Sequence, residues 1–325
     1  MMYLFIAIGF VLLLGGAEYL VKGSVGLARR FGVSPLVIGM TVVALGTSAP
    51  EFVVSLDAAL ANAAGIATGN IIGSNIANIL LILGVTAMIK PIQGDPETVM
   101  RDGMILLGCS AVFTFLCWLG VLDKMAGFIL FAMFIAFLVY SYWRERHGQD
   151  PAVAELHEHE ADDIEAPDNP WVLTLMTVGG IAAVVYGAQL LVDGGTEVAR
   201  IYGVSEEVIG LTMIAIGTSL PELAASGMAA IRGHTDVALG NVIGSNLFNI
   251  LGVLGAVSLI QPLPVAQQLL SFDLWVMMGA TILLVPFMIT RWQLSRMEGL
   301  VFACGYCAYI AVQAYGVEKV LAQIS

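Results

Sequence analysis

Apolar residues fall in long blocks with short polar breaks between them. Ten blocks are long enough to cross a bilayer, which takes roughly 20 mostly apolar residues per helix. They are 2–21, 34–60, 66–89, 103–121, 124–143, 171–192, 205–231, 236–260, 271–290 and 299–318. The pattern predicts an all-α membrane protein with ten transmembrane helices. Helices satisfy their own backbone polar groups, so they hide this much apolar sequence in lipid.

One break is long. Residues 144–170 are charged, carry three prolines and have no apolar face, so they read as a linker between two groups of five spans. With ten spans the loops alternate sides. Lys22, Arg29, Arg30, Lys90, Arg101, Arg144, Arg146, Arg232, Arg291 and Arg296 then share one side, and only Lys124, Arg200 and Lys319 take the other. Cytoplasmic loops are enriched in Lys and Arg. The partition predicts a cytoplasmic 144–170 linker and outward-facing termini, in a multi-pass protein of the inner (plasma) membrane. The apolar N-terminus, without a basic leader or cleavage site, reads as a first span.

Composition sharpens the class. Of 325 residues, 58% are apolar and 12% are charged, about half the charged share of a soluble domain. Mean hydropathy is +0.89. Too few charges remain to coat soluble surfaces, which excludes an ordinary soluble enzyme, a nucleic-acid binder and a disordered scaffold. The net charge of −12 belongs largely to the linker, where nine acidic residues lie between Glu145 and Asp168. Cys109, Cys117, Cys304 and Cys307 sit in apolar runs without zinc-type spacing and read as small buried side chains.

Self-comparison reveals a repeat. Shifted by 171 positions, Gly16–Gly84 lies on Gly187–Gly255 without a gap, and about half of the 69 positions are identical. Gly46-Thr47-Ser48-Ala49-Pro50-Glu51 meets Gly217-Thr218-Ser219-Leu220-Pro221-Glu222. Gly69-Asn70-Ile71-Ile72-Gly73-Ser74-Asn75 meets Gly240-Asn241-Val242-Ile243-Gly244-Ser245-Asn246, and Asn78 meets Asn249. Five spans per half is an odd number, so the second copy is expected to enter the membrane inverted. The domains expected are a first five-helix repeat at 1–143, the linker at 144–170 and a second five-helix repeat at 171–325. Inverted repeats are characteristic of secondary transporters, with the site near mid-membrane.

The repeated motifs carry oxygen chemistry. Pro50 has no N–H and cannot bond the Gly46 carbonyl, so free carbonyls are expected there. Such carbonyls persist in a membrane only beside protein, water or an ion. Thr47 and Glu51, four apart, are expected on one helix face; Thr218, Ser219, Pro221 and Glu222 repeat the arrangement. Glu51 and Glu222 are the key acids, because a carboxylate inside an apolar span costs at least a few kcal/mol unless paired or protonated. Ser74 with Asn78 and Ser245 with Asn249 add hydroxyls and amides. Asn75 and Asn246 project about 100° away from their serines. The GxxxG pairs Gly69/Gly73 and Gly240/Gly244 are expected to let spans approach closely. Carboxylates, hydroxyls, amide oxygens and carbonyls without sulfur or imidazole suit Ca²⁺, Na⁺ or Mg²⁺.

The repeated G-T-S-x-P-E and G-N-x-I-G-S-N-x-x-N motifs resemble the α-repeats of the cation/Ca²⁺ antiporter superfamily, in particular its prokaryotic sodium/calcium exchangers. The resemblance covers nearly the whole chain. It implies that Glu51 and Glu222 coordinate Ca²⁺ and also serve Na⁺. It implies that Thr47, Ser48, Thr218, Ser219, Ser74 and Ser245 bind Na⁺ or Ca²⁺ through hydroxyl or backbone oxygen, that Ala44 and Ala215 lend carbonyls, and that Asn78 and Asn249 complete the centre. Some relatives carry Asp at the position of Asn249, so this chain has two acids where those have three. The function implied is Na⁺/Ca²⁺ antiport by alternating access, with spans 1 and 6 moving past the others and Ca²⁺ leaving the cytoplasm. Ca²⁺/H⁺ exchange is the alternative within the class, and a cation channel the alternative outside it. No cofactor, nucleic acid or obligate protein partner is expected; the partners are Ca²⁺, Na⁺ and the lipid bilayer. No nucleophile–base constellation supports an enzyme.

Three weaker signals remain. His157-Glu158-His159-Glu160 lacks the zinc-protease spacing and reads as a solvated acidic tether. Trp118, Trp143, Trp171 and Trp292 lie near span ends, as interfacial anchors do. Glu18 and Asp193, near the ends of the first and sixth spans, read as gating or interface groups.

Overall fold

The computed structural model describes residues 2–94, 96–147, 167, 169–202, 215–289, 293–317 and 319. The chain is mostly helical. Among the described residues, seven helices are long and apolar enough to cross a membrane, and eight if a bent pair counts as one span. Large apolar side chains such as Val11, Phe115 and Leu175 stand exposed on them, as lipid-facing side chains do. Most of the acidic linker, including His157–Glu160, lies outside the described residues, as do the first ten positions of the predicted 205–231 span and Trp292.

Several helices outrun the predicted blocks. The first runs Met2–Phe31 rather than 2–21. Its polar end carries no proline, and Lys22 reaches back one turn to Glu18 at 2.8 Å. It stops at Gly32, whose φ of +63° is a left-handed position open to glycine. Helix Pro170–Ile201 likewise extends past 192; Pro170 takes its first turn and Asn169 accepts the Trp171 N–H at 3.0 Å.

Two compact units form, one of Met1–Ser48 with Ile135–Ser245, the other of Ala49–Phe134 with Asn246–Ser325. Each unit draws on both sequence repeats, so the compact units and the repeats divide the chain differently.

The first unit is built on helices Met2–Phe31 and Pro170–Ile201. Gly9, Gly16 and Gly23 recur every seven residues on one, and Gly180, Gly187 and Gly194 on the other. A seven-residue spacing keeps them on one stripe. A Cβ on Gly180 would lie 2.6 Å from the Leu20 amide nitrogen, and one on Gly16 would lie 2.8 Å from that of Val184. The two backbones therefore touch. Of the predicted GxxxG pairs, Gly244 packs on Met40, but a Cβ on Gly69 or Gly73 would meet nothing within 4 Å among the described residues. Close approach in this unit rests mainly on the seven-residue glycine stripes, because they face a neighbouring backbone along their whole length. Glu18 also accepts from Arg232 (Nε to Oε2, 2.7 Å), tying the first helix to Ala215–Arg232.

In the second unit, helix Ala64–Ile89 runs through a π segment at Ala77–Leu83. Short antiparallel pairs, Ile92–Gln93 with Gln293–Leu294 and Val121–Leu122 with Leu263–Pro264, fasten its loops. Gly84 meets the Gly299 carbonyl, and Gly127 that of Gly255. Cys109 and Cys117 are buried here as expected, whereas Cys304 and Cys307 are exposed. Those two lie on the exposed side of the apolar helix Arg296–Tyr315.

Candidate ion-binding site

Polar side chains inside apolar helices gather in one cluster per unit. In the first, helix Ala44–Thr47 ends at Ser48, whose ψ of +10° leaves the helical range. Helix Ala49–Leu60 begins after it. Pro50 follows the break and supplies no N–H to the turn before it. An unbroken helix would put Thr47 and Glu51 on one continuous face. The break at Ser48 removes that relation, and the hydroxyls beside it are used elsewhere. Ser48 donates from Oγ to Glu222 Oε1 at 2.7 Å, and Thr47 donates to Asn241 Oδ1 at 3.3 Å. Hydroxyls of the first repeat thus meet the acid and amide of the second. The Ala44 carbonyl accepts the Ser48 N–H at 3.0 Å.

The second-repeat motif folds differently. Ala215–Arg232 is one helix with Pro221 inside it. It carries Ala215, Thr218, Ser219 and Glu222, and Glu222 is fully buried. Among the described residues, Glu222 Oε2, Thr218 Oγ1, Ser219 Oγ and the buried Ser245 Oγ have no hydrogen-bond partner. Buried polar oxygens are normally satisfied. Carboxylate and hydroxyl oxygens are hard donors of the kind Na⁺ and Ca²⁺ take.

The second unit buries Glu51, Ser74, Asn78 and Asn249. Glu51 is buried and accepts from Ser74 Oγ at 3.4 Å. Asn78 and Asn249 lie in matching π segments, Ala77–Leu83 and Phe248–Val253. A π turn shifts register by about one residue, so the simple spacing of four from each serine no longer decides which face the amides share. Both side-chain polar atoms of Asn78, and Oδ1 of Asn249, are buried without a hydrogen-bond partner among the described residues. Asn75, about 100° from Ser74 on an ideal helix, accepts from Asn249 Nδ2 at 3.2 Å.

Two residue pairs escaped the sequence reading. Asn70 Nδ2 donates to Ser55 Oγ at 3.1 Å and to the Glu51 carbonyl at 3.4 Å. Asn241 Nδ2 donates to Ser226 Oγ at 2.9 Å and to the Glu222 carbonyl at 3.5 Å. Their identity across the repeat was visible in the sequence. Their role as braces behind each acid was not.

The sodium/calcium exchanger protein family matches residues 1–143 and 172–315. The chain belongs to the sodium/calcium exchanger family. It is thus a membrane transporter of the antiporter class and not an enzyme. This family member is 33% identical to the sodium/calcium exchanger MaX1 of Methanosarcina acetivorans, over 96% of this chain and 98% of that one. It is 34% identical to the inner membrane protein YrbG of Escherichia coli, over 94% of each. Among solved structures it resembles the sodium-calcium exchanger NCX_Mj soaked with 2.5 mM Na⁺ and 0.1 mM Ca²⁺. That match has 32% identity and a TM-score of 0.82, and covers 95% of this chain and 97% of that one.

Proposed function

We propose that this exchanger-family protein moves Ca²⁺ out of the cytoplasm in exchange for Na⁺, by alternating access, across the inner membrane. In this reading ten spans form two inverted five-helix repeats, 1–143 and 171–325, joined by a cytoplasmic 144–170 linker, with both termini outside. Glu51 and Glu222 bind Ca²⁺ and Na⁺ in turn. Thr47, Ser48, Thr218, Ser219, Ser74, Ser245, Asn78 and Asn249 add oxygen ligands, and Ala44 and Ala215 add carbonyls.

The observation that carries the reading is the set of buried oxygens at Glu222, Thr218, Ser219 and Ser245 that lack a partner among the described residues. Hydroxyl and carboxylate oxygens are hard donors suited to Na⁺ and Ca²⁺. A carboxylate that exchanges one divalent ion for monovalent ions keeps its charge compensated at each stage, which lowers the cost of its burial.

Radioactive Ca²⁺ flux into proteoliposomes tests this, with Na⁺, K⁺ and H⁺ gradients imposed one at a time. Na⁺-gradient-driven uptake is the expected result. Uptake driven by a pH gradient alone would establish Ca²⁺/H⁺ exchange instead, and flux needing no counter-ion would establish a channel.

A further inference from the structure

Three buried side chains of the second unit form a run whose polarity is set from one end. Asn75, on helix Ala64–Ile76, lies between Met277 of helix Leu274–Ile289 and Asn249 of the π segment Phe248–Val253. Both of those elements pack on the helix that carries Asn75. Asn75 and Met277 are each 1% exposed, and Asn249 is fully buried.

An amide carries an acceptor oxygen and a donor NH₂ of nearly equal size, so its neighbours decide which way it turns. The Met277 thioether has no hydrogen to give and can only accept. Asn75 gives it Nδ2, 4.0 Å from Sδ. The Asn75 oxygen is thereby directed to the other side, where it accepts from Asn249 Nδ2 at 3.2 Å. That bond takes the donor end of Asn249. The other end, Oδ1, is buried and has no hydrogen-bond partner among the described residues. Turning Asn75 over would set its oxygen against the sulfur, two acceptors face to face. It would also spend the Asn249 oxygen on the Asn75 NH₂.

The first repeat has the same amides without the orienting group. In the 171-residue register Asn246 matches Asn75, Asn78 matches Asn249 and Leu106 matches Met277. Leu106 is buried but offers no acceptor. Neither polar atom of Asn78 has a hydrogen-bond partner among the described residues. The fixed amide is a feature of the second repeat.

We propose that Asn75 is a positioning residue for cation binding: backed by Met277, it holds the Asn249 amide so that its oxygen, and not its NH₂, is presented to the ion. The inference rests on the ligand role proposed above for Asn249. A hard cation is drawn to the oxygen end of an amide and repelled by the NH₂ end. An amide free to turn loses rotational freedom each time an ion binds, and one already held loses none. Asn75 acts through Asn249, because its own oxygen and NH₂ are both engaged.

Calorimetric titration of the purified full-length protein with CaCl₂ tests the proposal. Asn75→Leu keeps the volume and removes the acceptor. It should weaken Ca²⁺ binding about fivefold, the worth of one neutral hydrogen bond. Asn249→Asp separates orientation from packing, since a carboxyl group offers an oxygen whichever way it turns. Added to Asn249→Asp, Asn75→Leu should weaken Ca²⁺ binding by less than about twofold. Equal losses in the two backgrounds would mean that Asn75 only packs, and would overturn the proposal. Unchanged affinity in Asn75→Leu would overturn it too, and where Asn249→Ala still weakens binding, the ligand role of Asn249 would stand without it. Unchanged binding in Asn249→Ala would remove that ligand role and the proposal together. Met277→Leu conserves volume and removes only the sulfur. It should weaken binding about twofold, the scale of a weak hydrogen bond. Where Asn75→Leu does not fold, unchanged affinity in Met277→Leu would overturn the proposal.

Discussion

Asn241 donates to the Ser226 hydroxyl at 2.9 Å, fifteen residues back along the chain, and its first-repeat counterpart Asn70 donates to Ser55 at 3.1 Å across the same interval. Each asparagine also reaches the backbone carbonyl of its repeat's glutamate. The same brace stands behind both candidate acids. Replacing Asn241 or Asn70 by Ala leaves a buried hydroxyl and carbonyl under-satisfied, at about 1–3 kcal/mol. We expect both variants to fold with a lowered unfolding temperature and to lose most Ca²⁺ flux. Full flux with unchanged thermal stability would remove the brace from the account.

Neutralising either acid should stop exchange. Each cluster contains one glutamate, and a charge-assisted ligand is about twice as strong as a neutral one. Glu51→Gln and Glu222→Gln keep size and hydrogen-bonding reach, so the proteins should fold. Their Ca²⁺ flux should fall by about two orders of magnitude, the scale of losing a ligand worth roughly 2–3 kcal/mol. Near-normal flux in a well-folded variant would exclude that glutamate as an ion ligand.

Asn249→Asp should make exchange pH-sensitive. Asn249 donates to Asn75 Oδ1; an aspartate there faces an acceptor, which favours its protonated form. As pH rises that proton is lost and a further negative charge enters the cluster. The flux of the variant should become more sensitive to pH than that of the parent, or come to depend on an additional monovalent cation. Identical pH and cation profiles would place Asn249 outside ion binding.

Adjacent glycines offer a packing test. A Cβ on Gly180 would lie 2.6 Å from the Leu20 nitrogen, whereas one on Gly179 meets nothing within 4 Å among the described residues. Gly180→Ala should destabilise by about 1–3 kcal/mol through backbone displacement. Gly179→Ala should be neutral or slightly stabilising, because alanine favours the helix. Equal unfolding temperatures for the two variants would contradict the close approach of helices Met2–Phe31 and Pro170–Ile201.

Topology is tested by single cysteines placed in 144–170. An impermeant thiol reagent should label them only after the cells are permeabilised. Labelling of intact cells would reverse the expected orientation.

The sequence alone determined the class of this protein. Long apolar blocks have one outcome in lipid, a helix, because no other local structure satisfies the backbone there. The paired motifs also singled out the polar residues that the fold buries, since an identical carboxylate, hydroxyl or amide in two apolar contexts is costly to retain without a use. Helix ends were less legible: Lys22, Arg29 and Arg30 look like a boundary, yet without a proline the helix runs on to Gly32. What only tertiary structure decided is which oxygen meets which. Ser48 bonds Glu222 rather than following the face of Glu51, because the helix breaks at Ser48. Asn75 joins Asn249 because π segments change the register that an α-helical spacing assumes. Such pairings depend on local departures from ideal geometry and on contacts between residues more than 170 positions apart, and neither is written in the period of the chain.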